Sequence, residues 1–214
     1  MPTSAALLTL LLASCEGFTV PSRVTLPSGT SALMRGRALA PVALEVMDPS
    51  YNLALGSVAL GAVFGLPPRE VNGPVAVVLS RLAYAIGTLL TIFGLFIAFQ
   101  TTTLRFTFDD SSFALVKADL SSTGENVVVG GENVWRYNSF VNWDFFPSDQ
   151  FPILVYFKET QTAEEFWNVG PGEQANSAEA LAKGAKPGQV HFFPAIARAD
   201  QLKAAFKVHD CAKL

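Results

Sequence analysis

An unbroken apolar run at residues 82–99 constrains this chain more than any other feature of its sequence. The run reads LAYAIGTLLTIFGLFIAF, carries no charged side chain and begins directly after Arg81. A helix of about 20 such residues crosses the roughly 30 Å hydrocarbon core of a bilayer. A core helix of a soluble protein usually keeps a polar stripe, which this run lacks. The run therefore predicts a membrane-spanning helix, and the alternative is a buried helix of a soluble protein.

A second uncharged run, residues 49–68, precedes the first and contains glycine at roughly helical spacing. Gly56, Gly61 and Gly65 would allow a neighbouring helix to approach closely. The segment PPREVNG between the two runs has the composition of a tight turn. We therefore predict a transmembrane helical hairpin over residues 49–102. The alternative is a single span preceded by an interfacial or re-entrant segment, because the first run barely reaches spanning length.

The first part of the chain, residues 1–44, predicts a two-part targeting leader. Residues 1–17 contain an apolar stretch followed by small residues, as in a secretory signal peptide, although the usual basic start is missing. Residues 18–44 hold three arginines and several Ser and Thr but no acidic residue, which is typical of a transit peptide. This order of signals resembles the two-part plastid leaders of algae with secondary plastids of red origin. The alternative is a plain signal peptide followed by an extracellular stalk.

The composition agrees with one folded domain joined to a leader and an anchor. The chain has 214 residues, of which 50% are hydrophobic, and its formal net charge is −3. Because the sequence contains no basic patch or stripe, we expect no nucleic-acid partner. Cys15 falls in the predicted leader, which leaves Cys211 with no partner for an internal disulfide.

Alternation of apolar and polar residues predicts a soluble β-rich domain over residues 103–214. The segments TLRFTFDD and SFALVKAD have the period of two that is typical of strands, and the Asp-Asp-Ser-Ser cluster between them predicts a turn. Further strands are predicted within ENVVVGGENVWRYNSFVNWDFF, FPILVYFKET and QVHFFPAI. A hairpin turn is expected at Gly130 and Gly131.

Two helices are predicted near the C-terminus. Ser177 and Gly184 are expected to cap the two ends of a short helix. Asp200 is the expected N-cap of a terminal helix with an apolar face formed by Leu202, Ala205, Phe206 and Val208. The complete pattern predicts a membrane-anchored α+β protein, in which a small antiparallel β-domain follows the helical hairpin and is capped by a C-terminal helix. This layout resembles a pleckstrin-homology-like module, and the resemblance carries no function.

Several long motifs also resemble those of a known family. WRY, FVNWDFFPS, ILVYFKETQT, GPG–ANS and PGQVHFFP are similar to segments of domain-of-unknown-function family 3119, which comprises cyanobacterial and plastid membrane proteins. The resemblance covers about residues 51–211. It implies a thylakoid membrane location with the domain facing the stroma, and it supplies no catalytic residues. The positive-inside rule points the other way, because Arg69 and Arg81 lie on the side of the loop.

Residues that could carry chemistry are sparse. His191 is a single histidine in a predicted strand, where packing or hydrogen bonding is its more common role. His209, Asp210 and Cys211 are consecutive, so on a helix their side chains point in different directions and do not converge on one ion. The sequence has neither a phosphate-binding loop nor a nucleophile motif. We therefore predict no catalytic, cofactor or metal site.

Five aromatic residues in the segment FVNWDFFPSDQF surround a predicted turn. Packing in the core is one interpretation, and a surface for a protein partner or for lipid headgroups is the other. The candidate partner surface comprises Phe140, Trp143, Phe145, Phe146 and Phe151. In a regular strand Phe140 and Trp143 point to opposite faces, so one of the two is expected to be exposed.

Together these features predict a non-enzymatic thylakoid membrane protein that assists the assembly, stability or anchoring of a photosynthetic complex, or is a small subunit of one. The expected partners are membrane lipid and other thylakoid membrane proteins. The alternative is a lipid- or pigment-binding protein, or a membrane enzyme, that uses a cleft in the β-domain.

Overall fold

The computed structural model describes residues 44–66, 73–126 and 130–214 of the chain. Apart from Leu44, the predicted leader lies outside the described residues. So do residues 67–72, which join the two apolar runs, and residues 127–129 of the predicted hairpin.

Seven strands in the described part of the chain form two antiparallel sheets, one of four strands and one of three. The first sheet has the order β1-β2-β3-β4, with β1 at Glu45–Val46, β2 at Leu104–Phe108, β3 at Ser112–Lys117 and β4 at Val134–Arg136. The second has the order β5-β6-β7, with β5 at Phe140–Pro147, β6 at Pro152–Glu159 and β7 at Gln189–Pro194. The predicted α+β class with antiparallel strands is therefore confirmed.

Five α-helices accompany the strands among the described residues: α1 at Asn52–Phe64, α2 at Pro74–Thr103, α3 at Gly172–Ala175, α4 at Ala178–Ala182 and α5 at Ala199–Val208. α1 and α2 occupy the connection between β1 and β2, and those two strands pair with each other at Val46 and Thr107. The helix pair therefore leaves the first sheet and returns to it at the same place.

The β2–β3 hairpin forms where the Asp-Asp-Ser-Ser cluster predicted a turn. The carboxylate of Asp109 accepts hydrogen bonds from the backbone N–H of Ser111 and of Ser112, both at 2.6 Å. The side chain of Asp109 thus supplies hydrogen-bond acceptors for two backbone N–H groups of the turn. Both predicted strands form, but their burial does not alternate, because Thr107 is buried between Phe106 and Phe108 and the first four residues of β3 are all buried.

The core lies between the two sheets and consists largely of aromatic rings. Phe113 and Trp135 of the first sheet contact Phe157 of the second, with ring centroids 5.5 Å and 4.8 Å apart. Phe206 of α5 stacks on Trp143 with centroids 5.1 Å apart. Such pairs contribute about 0.5–1.5 kcal/mol each beyond the burial of their area, so the aromatic residues fix how the sheets and α5 pack.

The terminal helix differs from the prediction at both ends. α5 begins at Ala199 with Arg198 at the N-cap, so the prediction of Asp200 as N-cap is wrong. Asp200 lies in the first turn, where its carboxylate is 2.6 Å from the Arg198 guanidinium. Leu202, Ala205 and Phe206 are buried as predicted, but Val208 is 76% exposed. Val208 is six positions after Leu202, which at 3.6 residues per turn places it away from the apolar stripe.

The short helix α4 follows its predicted caps. Ser177 Oγ accepts a hydrogen bond from the backbone N–H of Ala180 at 3.2 Å. Gly184, just after the helix, has a φ of +94°, a left-handed value that favours glycine. Local capping chemistry therefore sets both ends of this helix.

Candidate functional site

The long helix α2 exposes most of its apolar side chains. It has 30 residues and is long and apolar enough to cross a membrane. Twelve of its large apolar side chains are exposed, namely Val75, Val78, Leu79, Leu82, Tyr84, Ile86, Leu89, Ile92, Phe93, Leu95, Phe96 and Phe99. The β-domain covers little of this surface, so something other than the described residues must cover it if it is to be kept from water.

The first helix, α1, is apolar but shorter than a bilayer-spanning helix. Its 13 residues correspond to about 20 Å at 1.5 Å per residue, whereas a bilayer core measures roughly 30 Å. Two complete spans over residues 49–102 therefore stay a prediction. The alternative of one span accompanied by a shorter apolar helix agrees with the length of α1.

Glycine residues bring α1 and α2 into close backbone contact. A Cβ atom at Gly61 would lie 2.7 Å from the backbone N of Thr91, and one at Gly87 would lie 2.2 Å from the backbone N of Gly65. A Cβ atom at Gly56 would meet nothing within 4 Å. The expected close approach is therefore made by Gly61 and Gly65, while Gly56 faces open space.

The segment before α1 is fastened to the segment before α5. The backbone N–H of Ser50 donates to the carbonyl of Ile196 at 2.8 Å, and the N–H of Arg198 donates to the carbonyl of Asp48 at 3.0 Å. Met47 is only 1% exposed and belongs to the aromatic core of the β-domain. The base of the helix pair is thus part of the packed domain.

A groove of about 1100 Å³ lies between the helix pair and the turn that joins β5 to β6. Its apolar wall comes from α1 and α2 and includes Leu55, Leu60, Leu90 and Phe93. Its polar rim comes from the β-domain and the start of α1 and includes Ser50, Asn52, Asp149, Gln150, Arg198 and Asp200. Phe151 stands at the edge with 68% of its surface exposed. The groove is therefore amphipathic.

The charges at the rim are arranged in pairs. Arg198 pairs with Asp200, and Asp149 forms an ion pair with Lys203 of α5. The hydrogen bond from Lys203 holds the pKa of Asp149 below its ordinary value, and Arg198 has the same effect on the pKa of Asp200. Both carboxylates are therefore ionised at neutral pH and already have a cationic neighbour.

The structure places three of the five residues of the candidate partner surface in the core. Phe140, Trp143 and Phe145 are 5%, 2% and 5% exposed, so the expectation that they contribute to a surface is wrong. The pairing of β5 with β6 shifts between Phe140 and Asn142, where a β-bulge adds one residue to β5. The bulge lets Phe140 and Trp143 point to the same face although three positions separate them.

Phe146 and Phe151 remain exposed, at 60% and 68%. Phe146 lies on the outer face of the second sheet, where it pairs with Leu154. Phe151 belongs to the turn beside the groove. The two residues that stay at the surface therefore lie in different settings, one on the β-domain and one next to the helix pair.

A buried carboxylate–imidazole pair joins β6 to β7. His191 Nε2 and Glu159 Oε1 are 2.9 Å apart, and both side chains are buried. Glu159 also accepts hydrogen bonds from the backbone N–H of Gln161 and from the N–H and hydroxyl of Thr162. Burial raises the pKa of Glu159, but the hydrogen bonds from His191 and Thr162 outweigh it and leave the pKa below its ordinary value.

This pair stands behind the wall of a small surface cleft. Trp135, whose ring lies 4.9 Å from that of His191, lines the cleft together with Thr162. The cleft measures about 230 Å³, whereas ligand pockets typically measure about 300–1,000 Å³. Every oxygen of Glu159 is occupied by turn or strand contacts, so the geometry assigns the pair a structural role.

Sequence reasoning missed this pair because its two members are 32 residues apart. The register that places Phe157 opposite His191 brings the imidazole next to Glu159, and that register is a property of the folded sheet. Lys158, also buried, donates to the carbonyl of Ala175 at 3.0 Å on the opposite face of β6. Only the strand alternation, which sends Lys158 and Glu159 to opposite faces, could have been deduced beforehand.

The three consecutive residues at the C-terminal end of α5 have separate surroundings. His209 stacks on Tyr137 with ring centroids 4.4 Å apart. Cys211 is buried, and burial together with the charge of Asp210 raises the pKa of its thiol to about 12. Within the part of the chain that the structure describes, no group of three His, Cys, Asp or Glu side chains could hold a metal ion.

Comparison with protein families identifies the family of this chain. A family model described as "Protein of unknown function (DUF3119)" matches residues 46–210. The matched region runs from β1 to the end of α5 and includes both α1 and α2, so the helix pair and the β-domain belong to one family unit. No curated protein and no solved structure matches the chain.

Proposed function

Because this chain belongs to the DUF3119 family of proteins of unknown function, we propose its function from its geometry: it is a non-enzymatic membrane protein whose helix pair anchors the β-domain at a membrane surface. The observation that carries this proposal is the exposed apolar surface of α2. A bilayer removes such a surface from water, and burial of apolar area is the dominant favourable term in such a transfer.

Alkaline carbonate extraction of membranes tests the anchor. We expect the full chain to stay in the membrane pellet, and release of the wild-type chain into the supernatant would contradict the proposal. Leu89→Lys places a charge on the exposed face of α2, where a helix-centre lysine costs about 2.5–3.5 kcal/mol of insertion free energy. Leu89→Lys is therefore expected to be released more readily than the wild-type chain. Val208→Lys is the matched control and should stay in the pellet, because Val208 is also apolar and exposed but lies on α5.

The membrane that we propose is the thylakoid, with the β-domain in the stroma. The two-part leader pattern and the plastid members of the resembling family support this location. Protease added to intact isolated thylakoids is expected to degrade the C-terminal domain. Complete protection of the domain would place it in the lumen and reverse the proposed orientation.

Within that membrane we propose a role in the assembly, stability or anchoring of a photosynthetic complex. Support comes from the outer face of the second sheet, where Phe146 and Phe192 are 60% and 43% exposed and Tyr156 packs against Phe192 at 5.2 Å. Exposed aromatic residues often dominate binding energy at protein interfaces. This face takes the place of Trp143 as the proposed partner surface, because Trp143 is buried.

Isolation of the tagged chain in mild detergent tests this role. Phe146→Ala is expected to loosen co-migration with a membrane complex, by about 2 kcal/mol or more if Phe146 is a hot spot, while the thermal midpoint stays unchanged. Val208→Ala, which shortens an exposed side chain of α5, serves as the control. Normal co-migration of Phe146→Ala would exclude this face as the partner surface.

We also propose that the β-domain is pleckstrin-homology-like. Four strands in one sheet, three in the other and a C-terminal helix packed against the aromatic core support the likeness. An experimental structure in detergent that showed a different strand order would contradict it.

A further inference from the structure

We propose that the groove between the helix pair and the β5–β6 turn binds one bilayer lipid with an uncharged, hydroxyl-bearing headgroup. This inference rests on the proposed membrane anchoring, because the lipid enters from the bilayer in which α2 lies. Three features of the groove carry it: its apolar wall, its size and the charge balance of its rim.

The apolar wall is continuous with the surface that faces the bilayer. Leu55, Leu60 and Phe93 line the groove and are themselves 63%, 51% and 40% exposed. Between Asn52 and Leu60 the axis of α1 advances by about 12 Å, so the wall leads from the polar rim down the flank of the helices. Gly56 lies on this wall and leaves open space where a side chain would stand. An acyl chain fits such a wall.

The groove is also large for a site on so small a protein. Its volume of about 1100 Å³ reaches the upper end of the usual range of about 300–1,000 Å³ for ligand pockets. Phe151 at its edge is 68% exposed, which leaves an apolar ring open to solvent beside the groove. An acyl chain in the groove would cover this ring, and burial of apolar area is favourable.

The rim selects the class of headgroup. Phosphate groups are bound by cationic side chains that can donate to them, but Arg198 already pairs with Asp200, and Lys203 already pairs with Asp149. With Lys203 counted, the two carboxylates of the rim are matched by two cations, and both cations are already paired. An anionic headgroup would therefore gain an ion pair only by breaking one of these two. Hydroxyl groups, in contrast, donate to carboxylates and accept from the amides of Asn52 and Gln150.

The test uses the full chain reconstituted in nanodiscs that contain equal amounts of a hexosyl diacylglycerol, phosphatidylglycerol and phosphatidylcholine. After detergent release, native mass spectrometry measures which lipid stays bound. We expect one hexosyl diacylglycerol per chain. Preferential retention of phosphatidylglycerol, or no retained lipid, would overturn the inference.

Gly56→Leu places its Cβ atom in open space on the groove wall and its side chain in the groove, and we expect it to lower lipid retention at least tenfold. Ala59→Leu is the matched control, because Ala59 is exposed on the same helix and does not line the groove. Phe151→Ser is the second variant, since it removes the aromatic edge without changing either helix. Equal retention by wild type, Gly56→Leu and Phe151→Ser would refute the groove as the site.

Carbonate extraction of the wild-type chain, compared with its lipid retention, separates this inference from the proposed function. If the wild-type chain resists extraction but retains no lipid, the anchor stands and the lipid site is wrong. If the wild-type chain is extracted, the proposed membrane anchoring is wrong, and the lipid site, which depends on it, is refuted as well.

Discussion

Replacing Gly87 by alanine should separate α1 from α2. The new Cβ atom would lie 2.2 Å from the backbone N of Gly65 and 2.6 Å from its Cα. Carbon contacts are favourable near 3.5–4.0 Å, so the backbones must move apart by roughly 1 Å. Because backbone atoms cannot rotate away as a side chain can, we expect a cost near the usual overpacking range of about 1–3 kcal/mol.

Gly56→Ala is the matched control for this experiment. Both substitutions add one methyl group within a helix and gain up to about 1 kcal/mol of helix propensity. Only Gly87→Ala meets another helix, since a Cβ atom at Gly56 has nothing within 4 Å. The difference between the two variants therefore isolates the clash and should amount to about 1–3 kcal/mol in the free energy of unfolding.

Thermal unfolding of the full chain in one detergent, followed by circular dichroism, measures this difference. About 1 kcal/mol shifts the midpoint of a protein of this size by roughly 2–4 °C. We therefore expect Gly87→Ala to unfold about 2–12 °C below Gly56→Ala. Equal midpoints for the two variants would refute the close packing of α1 against α2.

Three further predictions concern the β-domain. The folded-state pKa of Glu159 lies below its ordinary value of 4.5, so the carboxylate stabilises the fold fully above that value and the contribution is lost as the pH falls towards the folded-state pKa. Glu159→Gln should therefore be less stable than wild type at neutral pH, by about 1.5–3 kcal/mol, and its acid unfolding should depend less on pH. An acid transition identical to that of wild type would contradict the stabilising role of the Glu159 carboxylate. The thiol of Cys211 is buried and has a pKa of about 12. In a Cys15→Ser background, Cys211 should therefore react with iodoacetamide at pH 8 only after unfolding. Rapid labelling of the native chain would show that the C-terminus is not packed as described. Trp143→Phe removes the hydrogen bond from Nε1 to the carbonyl of Cys211, 3.0 Å away, and should lower the free energy of unfolding by about 1–3 kcal/mol, while a loss of co-migration without a loss of stability would return Trp143 to a binding role.

Local patterns in the sequence predicted the elements that local chemistry determines. The β2–β3 hairpin depends on Asp109 and its two following serines, and α4 depends on the Ser177 cap, so both could be read from neighbouring residues. The apolar run that predicted a long helix corresponds to α2. In each case the determining contacts lie within a few residues of the chain.

Features that arise from distant contacts could not be predicted. The β-bulge in β5 is a property of the register between β5 and β6, and it is the bulge that buries both Phe140 and Trp143. β1 has two residues, too few for any period to be detected, yet its pairing with β2 brings the start of the family unit into the sheet. The polar rim of the groove likewise combines residues near positions 50, 150 and 200, which only the folded chain brings together.

The position of the helix pair between two adjoining strands has a mechanical consequence. Helix α2 ends at Thr103 and β2 begins at Leu104, so no linker residue separates the anchor from the sheet. At the other end, β1 and the segment before α1 are held by backbone hydrogen bonds to β2 and to Ile196. If α2 spans a bilayer as proposed, the domain is joined to its anchor without a flexible tether. Phe146 would then stand at a nearly constant height above the membrane, and a partner in the same membrane would bind it with part of the orientational entropy cost already removed.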